Sequence, residues 1–497
     1  MSAGRNVGWK LSASRAIVMT AAVGLLTSHA AKAQQPAVGA VTFTKDVAPI
    51  LQRSCQNCHR PDGVAPMSLV SYQEVRPYAR AIDQRTHIGP HRGVMPPWYM
   101  EKNIGIQQYK DDPSLSEVEL AKISKWVADG APQGDPKDMP ASKSFQNLDS
   151  WAIGQPDLVI KTEELVVKAN QPDWWGEIKN VPTGLTEDRY VTAVQVREVN
   201  DVPKDGSGRA TVGGRYVFHH MIWGTRVPGA AADDPANVAE AEAAAAGGTN
   251  WPVHEVGRNA DFFDPGMARL LRAGSELTTS SVHLHSNGRD TKAHLEVGFT
   301  FAPKGYQPKY KPARLALGNG VDIDIRPEEA NQQLHAYAVT QENIKIVSFE
   351  PHLHAPGDRM CLEAIWGYTI QTLSCVGYDH NWVRGYDYAQ DAQPLLPKGT
   401  ILHIIGYMDN SPSNKNVPDP RNWQGSGNRS VANMFIDLGQ RVSLTDEQFQ
   451  EEMQKRRQDL HLTRNDIVIG CPLCSLAFAP RPTPPAVPAG AQQNQQQ

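Results

Sequence analysis

Two textures follow one another along the chain. From Phe43 to about Pro140, apolar residues recur at helical spacing, and Val47, Ile50, Leu51, Cys55 and Cys58 fall on one face of a first helix. The last helix of this stretch opens on a capping box, Ser116 and Glu119, buries Leu120, Ile123 and Val127, and stops at Gly130 ahead of Pro132. A polar linker at 141–155 follows, and beyond it the period changes to two. Arg189–Val199, Leu295–Phe301, Asn343–Phe349 and Thr400–Tyr407 alternate apolar with polar residues between Gly, Pro and Asn turns, the texture of β-sandwiches. Ala230–Gly248 is alanine-rich and reads as a surface insertion, and Ala479–Gln497, rich in Pro, Ala and Gln, as a disordered tail.

The first 33 residues fit neither texture. Arg5, Lys10 and Arg15 precede an apolar run, Ala16–Leu26, and a small-x-small site, Ala31-Lys32-Ala33, which together predict a cleavable secretory signal peptide and a periplasmic or secreted protein. The run is too short to cross a bilayer, and no later segment reaches the roughly 20 apolar residues that a membrane helix needs. Removing this leader takes away four positive charges and no negative ones, so a net charge of −4 becomes −8, which weighs against nucleic acid as a partner. A length of 497 residues allows roughly three domains, and 40 Gly with 37 Pro favour turns over long helices.

Chemistry enters at Cys55-Gln56-Asn57-Cys58-His59, the Cys-x-x-Cys-His run that holds one haem c covalently through two thioethers and ligates its iron with the histidine. A zinc knuckle or a thioredoxin-like pair fits less well, because no second Cys-x-x-Cys lies at finger spacing and neither use explains His59. The candidate for the second axial ligand is Met95, pinned by Pro96 and Pro97. His87 and His91 are its rivals, while Met67 follows His59 by only eight residues, too few to cross the ring. Among the other cysteines, Cys361 and Cys375 are symmetric about Tyr368, so a hairpin turning at Gly367 would pair them as a disulfide. Cys471 and Cys474 are open to three uses: a tight disulfide, a redox pair or half of a metal site.

Histidines cluster in the strand-like part as His219-His220, His283-Leu284-His285 and His352-Leu353-His354. Alternation puts each His-x-His pair on one face of a strand, able to offer two imidazoles to one metal, and nitrogen donors suit copper or zinc. Adjacent His219 and His220 diverge unless a bulge re-aims one. His254, His294, His335, His380, His403 and His461 stand alone and read as ordinary structural residues. Trp174, Trp175, Trp366 and Trp382 are candidates for a pocket but are more simply core.

The order His219-His220-Met221, Val282-His283, His352-x-His354 and Asn433-Met434 resembles that of the copper type II, ascorbate-dependent monooxygenases, the family of peptidylglycine alpha-hydroxylating and dopamine beta-monooxygenase. The chain looks in particular like bacterial members that place a haem domain ahead of that core, and Asp409-Asn410-Ser411 and Asn416-Val417-Pro418-Asp419-Pro420 resemble their Asp-Asn-Ser and Asn-Pro-x-Pro signature. The resemblance covers nearly the whole mature chain. It implies a multidomain protein: a signal peptide at 1–33, a small all-α cytochrome c domain at 41–140, the linker, two all-β jelly-roll sandwiches at 156–330 and 331–477, and the tail at 478–497.

The same resemblance implies two coppers, one per sandwich, facing each other across a solvent-filled cleft. His219, His220 and His283 resemble the ligands of the electron-storing copper, with His285 as the alternative to His283. His352, His354 and Met434 resemble those of the oxygen-activating copper, with Met408 as the alternative thioether. The implied enzyme is a copper-dependent monooxygenase that hydroxylates a C–H bond of a small-molecule or peptide-like organic substrate with O2. Its electrons would pass from a periplasmic donor through the haem. Two other readings share these residues: a periplasmic c-type cytochrome whose sandwich binds copper without oxygenating anything, and a metal-free interaction module.

Overall fold

The apolar spacing around the cysteines is helical as far as Ser54 and no further. The computed structural model describes residues 40–471 apart from 62, 146–149, 204–211, 230–247, 256–258, 314 and 428–431. The expected leader at 1–33, nearly all of the alanine-rich stretch 230–248 and the expected tail at 478–497 therefore lie outside the described residues. A π-helical turn, Phe43–Val47, runs into helix Ala48–Ser54, and Cys55 caps it with φ −122°. The chain then continues as a turn in which the His59 N–H donates to the Cys55 carbonyl, so Cys58 lies beyond the helix rather than on its face. Helix Glu117–Ala128 opens on both bonds of the Ser116–Glu119 capping box. It buries Ile123 and Trp126, whereas Leu120 and Val127 are half-buried.

The expected small all-α domain ahead of jelly rolls is not what forms. Strand outweighs helix, 33% to 15%, and the helices of the N-terminal stretch span only 7, 4, 8 and 12 residues. Residues 96–115 are not helical but form a strap along the β part of the molecule. Pro96 and Pro97 remove two amide donors, and Trp98, Met100, Ile106 and Tyr109 bury their side chains in a core they share with the strands of the second half. The strap hydrogen-bonds as an edge does: Glu101 N–H donates to the Cys375 carbonyl and Ile106 N–H to Leu373, with bridges from Met100 to Val376 and Tyr109 to Tyr388. At Gly377 a Cβ would lie 1.7 Å from the Pro90 carbonyl oxygen, so that approach requires glycine. The residues from Val41 onward accordingly belong to one compact unit.

Every ladder in the sheets is antiparallel. One six-stranded sheet is built on Arg189–Asn200 and Thr291–Phe301, and another on Phe218–Arg226 and Glu276–Leu284. They face each other over Val191, Val194, Leu295, Val297 and Phe299 from the first and Phe218, Met221, Trp223, Leu277 and Val282 from the second. Full burial of each large side chain contributes roughly 2 to 3 kcal/mol, so this layer, rather than any helix, holds the first half together. That core continues through Val347, Leu395, Val442 and Leu444 to Phe449 of helix Asp446–Asp459, which joins the two halves. Asp264, itself buried, accepts from Lys110 of the strap at 2.7 Å and from Gln393 of the second half at 2.7 Å.

The second half centres on a four-stranded sheet ordered Gln332–Val339, Ile401–Met408, Gly357–Trp366, Thr369–Gly377. Its last two strands form the hairpin that turns at Gly367 and Tyr368, with Trp366 opposite Thr369. Cys361 lies opposite Cys375 and is bonded to it, their Cα atoms 4.1 Å apart. Cys471 is also disulfide-bonded, and Cys474 lies outside the described residues. No described helix is long and apolar enough to cross a membrane.

Candidate metal centre and adjoining cavity

Adjacent His219 and His220 reach one side of their sheet because the strand bulges between them. His283 pairs with His220 and Leu284 with Phe218, which leaves His219 as the extra residue re-aimed by the bulge. His219, His220 and His283 then bring one nitrogen each to within 4.8 Å of one another, a spacing that a single ion can bridge. His283 is held from behind: its ring stacks on Trp175 at 4.4 Å, and its Nε2 lies 3.1 Å from Asp173 Oδ2. That carboxylate fixes the proton on Nε2, so Nδ1 is the free donor atom, and this buried nitrogen has no hydrogen-bond partner. His219 Nδ1 is buried without a partner too. His285 sits further out, its ring 5.9 Å from His219 and 6.4 Å from His283.

Burial keeps the His219, His220 and His283 rings neutral, which is the form that ligates. It pushes His219 down to about 4 and His220 to about 3, against a smaller pull upward from Glu255. In His283 burial also prevails over the Asp173 pairing, and its pKa falls.

His352 and His354 come from the short strand Pro351–Leu353 and the residue after it, their rings 5.4 Å apart. His354 Nδ1 donates to the Ala432 carbonyl at 2.9 Å, which fixes the ring's tautomer with Nε2 unprotonated. The strand pairs His352 with Ile436 and Leu353 with Phe435, so His354 and Met434 each flank the last paired residues. Met408 is fully buried in the second core.

Two residues with no motif around them join the histidine groups. Glu255 pairs with His220 across the sheet and lies 3.3 Å from His352 Nδ1, a contact whose angle makes it a charge pair rather than an aligned hydrogen bond. Burial raises the Glu255 pKa, but His352 and the neighbouring imidazoles more than offset that and hold it at about 2. The His352 pKa is lowered by burial and raised more strongly by Glu255. The other joining residue, His380, places its ring 6.4 Å from His219 and 5.9 Å from His354. The two groups thus adjoin through Glu255 and His380, whereas the resemblance implies a solvent-filled cleft between them.

Beside them is a cavity of about 570 Å³, within the range of cofactor pockets. Cys55, Cys58, His59, Met67 and Met95 line it, together with Ile82, Leu69, Val94 and, from the second half, Asp379, Asn381 and Trp382. His59 Nδ1 lies 3.2 Å from the Met67 carbonyl, which can only accept, so Nδ1 carries the proton and Nε2 is left as a ligand. Burial lowers the His59 pKa and lifts the Cys55 thiol to about 12, with Cys58 also raised. Protonated thiols are poor redox nucleophiles, which weighs against a redox use of the pair. The donor set and the volume fit a haem, and Trp382 of the cavity wall carries a buried Nε1 donor with no hydrogen-bond partner. His87 and His91 do not line the cavity: His87 instead bonds the Asp83 carbonyl through Nδ1.

Sequence reasoning missed Glu255, His380 and Asp173. No local signal marks them, since each acquires its neighbours only through the fold.

No family model matches the chain, and no curated protein matches it. A solved structure of procruciferin, an 11S globulin from Brassica napus, aligns with 51% of this chain and 83% of its own at 8% identity. Its TM-score of 0.11 carries no argument about fold or function.

Proposed function

We propose that the protein is an exported haem- and copper-containing monooxygenase that hydroxylates a C–H bond of an organic substrate with O2, electrons entering through a covalently held c-type haem. The observation that carries this reading is the adjacency of two kinds of donor set. A cavity bearing Cys55, Cys58, His59 and Met95 adjoins a histidine cluster in which the buried Nδ1 atoms of His219, His283 and His380 have no hydrogen-bond partner. A buried nitrogen without a partner costs about 1 to 3 kcal/mol, a cost that a bound ion removes.

His59 would ligate the haem iron, with Met95 the candidate for its second protein ligand, while Cys55 and Cys58 would hold the ring. His219, His220 and His283 would hold one copper, and His352, His354 and Met434 a second, whose thioether favours the cuprous state. Copper at such donors supplies one-electron redox chemistry and oxygen activation. The chain's own residues do the rest: Asp173 and the Ala432 carbonyl fix the tautomers of His283 and His354, and burial keeps His219, His220 and His283 neutral.

Metal analysis of the exported protein tests the reading, with one iron and two coppers per chain expected. Iron without copper overturns it. Two coppers together with oxygen consumption that yields no hydroxylated product, across a screen of candidate substrates, would leave the alternative of a copper-binding electron-transfer protein.

A further inference from the structure

The turn Asp379–Trp382 faces two ways. Asp379, Asn381 and Trp382 line the cavity, and Asp379 also accepts from the hydroxyl of Tyr99, another lining residue, at 3.2 Å. His380, between them in sequence, sends its ring toward the histidines instead, 5.9 Å from His354 and 6.4 Å from His219. Its Nδ1 is buried and has no hydrogen-bond partner. A histidine retained for packing would satisfy that nitrogen, as nearly all buried polar atoms do.

We infer that His380 is a further copper-binding residue, carried by the wall of the haem cavity, and that the turn Asp379–Trp382 is the link by which electrons cross from haem to copper. The inference rests on the reading of the cavity as a haem site and of the histidines as copper ligands. The step is a one-electron transfer: ferrous haem becomes ferric and one cupric ion becomes cuprous, with no proton transferred. The geometry suits it, because the residues on either side of His380 already form the cavity wall, so cavity and imidazole are separated by a single residue of covalent backbone.

The test uses the full-length exported protein with His380→Gln and His380→Asn, two polar replacements chosen so that one folded variant suffices. Folding is checked by the haem Soret band and thermal melting. The expected result is a changed cupric electron paramagnetic resonance spectrum, at least tenfold weaker binding of one copper, and at least tenfold slower oxidation of dithionite-reduced haem by the bound copper in anaerobic stopped flow. A cupric spectrum identical to wild type, or a haem oxidation rate within twofold of it, overturns the assignment while wild-type copper content keeps the monooxygenase reading alive. A wild-type chain that takes up no copper overturns both.

Discussion

The cavity and the histidine groups are both candidate metal sites, yet they are assembled in opposite ways. In the cavity, the two thiols and the imidazole lie within five consecutive residues, and His59 is oriented by the Met67 carbonyl eight residues away. In the cluster, His283 is oriented by Asp173 from a separate strand region, His352 is paired with Glu255 of the other half, and His219 depends on a bulge. A site encoded locally survives a disturbance of the sheets, while a site encoded by tertiary register does not. The contrast can be broken from either side.

The largest effect is expected at the local site. Replacing both thiols, Cys55→Ser with Cys58→Ser, removes the only chemistry there that could hold a haem covalently, so haem staining of the denatured chain should disappear altogether. Copper uptake should persist, because the histidines owe nothing to the thiols. Covalent haem surviving the double replacement would remove the cavity from consideration.

Acid should act on the other region, in the metal-free protein. His219, His220 and His380 have folded-state pKa values near 4, 3 and 3, below the unfolded value of about 6.5, so between these limits the unfolded chain binds protons that the native chain does not. The stability they confer is complete above pH 6.5 and is lost as the pH falls, at up to about 1.4 kcal/mol per pH unit for each. His352 acts in the opposite sense, since Glu255 raises its pKa. Thermal melting of the metal-free protein should therefore fall steeply from pH 6.5 to 4.5, and the fall should be shallower in His380→Gln. A melting temperature flat over that interval would mean that the rings are not buried in the neutral form.

These two regions also divide what the sequence alone could reveal. The Cys-x-x-Cys-His run, the Ser116–Glu119 capping box, the long strands and the Cys361–Cys375 hairpin are legible because each is fixed by residues within one or two turns of chain. The expectation of an all-α domain fails for a physical reason. Helical spacing around Val47 and Leu120 does not continue across 96–115, where Pro96 and Pro97 block a helix and Trp98, Met100 and Tyr109 find their core only in strands almost 300 residues further on. His380 and Glu255 have no neighbours in sequence that set them apart from structural residues. Their position follows from the pairing of strands, which no local pattern encodes.

Within the cluster, removing a ligand should cost more than removing its support. His283→Ala takes away one of three nitrogens and should weaken copper binding at that group by at least about 100-fold, with haem staining unchanged; unchanged affinity would return the choice to His285.

The smallest effect is expected at Asp173. Its carboxylate touches His283 only through Nε2, on the side of the ring away from the free Nδ1, and its side chain is 49% exposed. Asp173→Asn keeps an oxygen that can accept from Nε2 but removes the negative charge that raises the basicity of the ring. Copper binding should weaken by about tenfold, at the low end for an outer-shell partner, with the cupric spectrum retained because the ligand set is unchanged. The measurement separates orientation from ligation. A loss as large as that of His283→Ala would mean that the carboxylate itself binds the ion, and that the cluster is built from three imidazoles and an oxygen rather than from imidazoles alone.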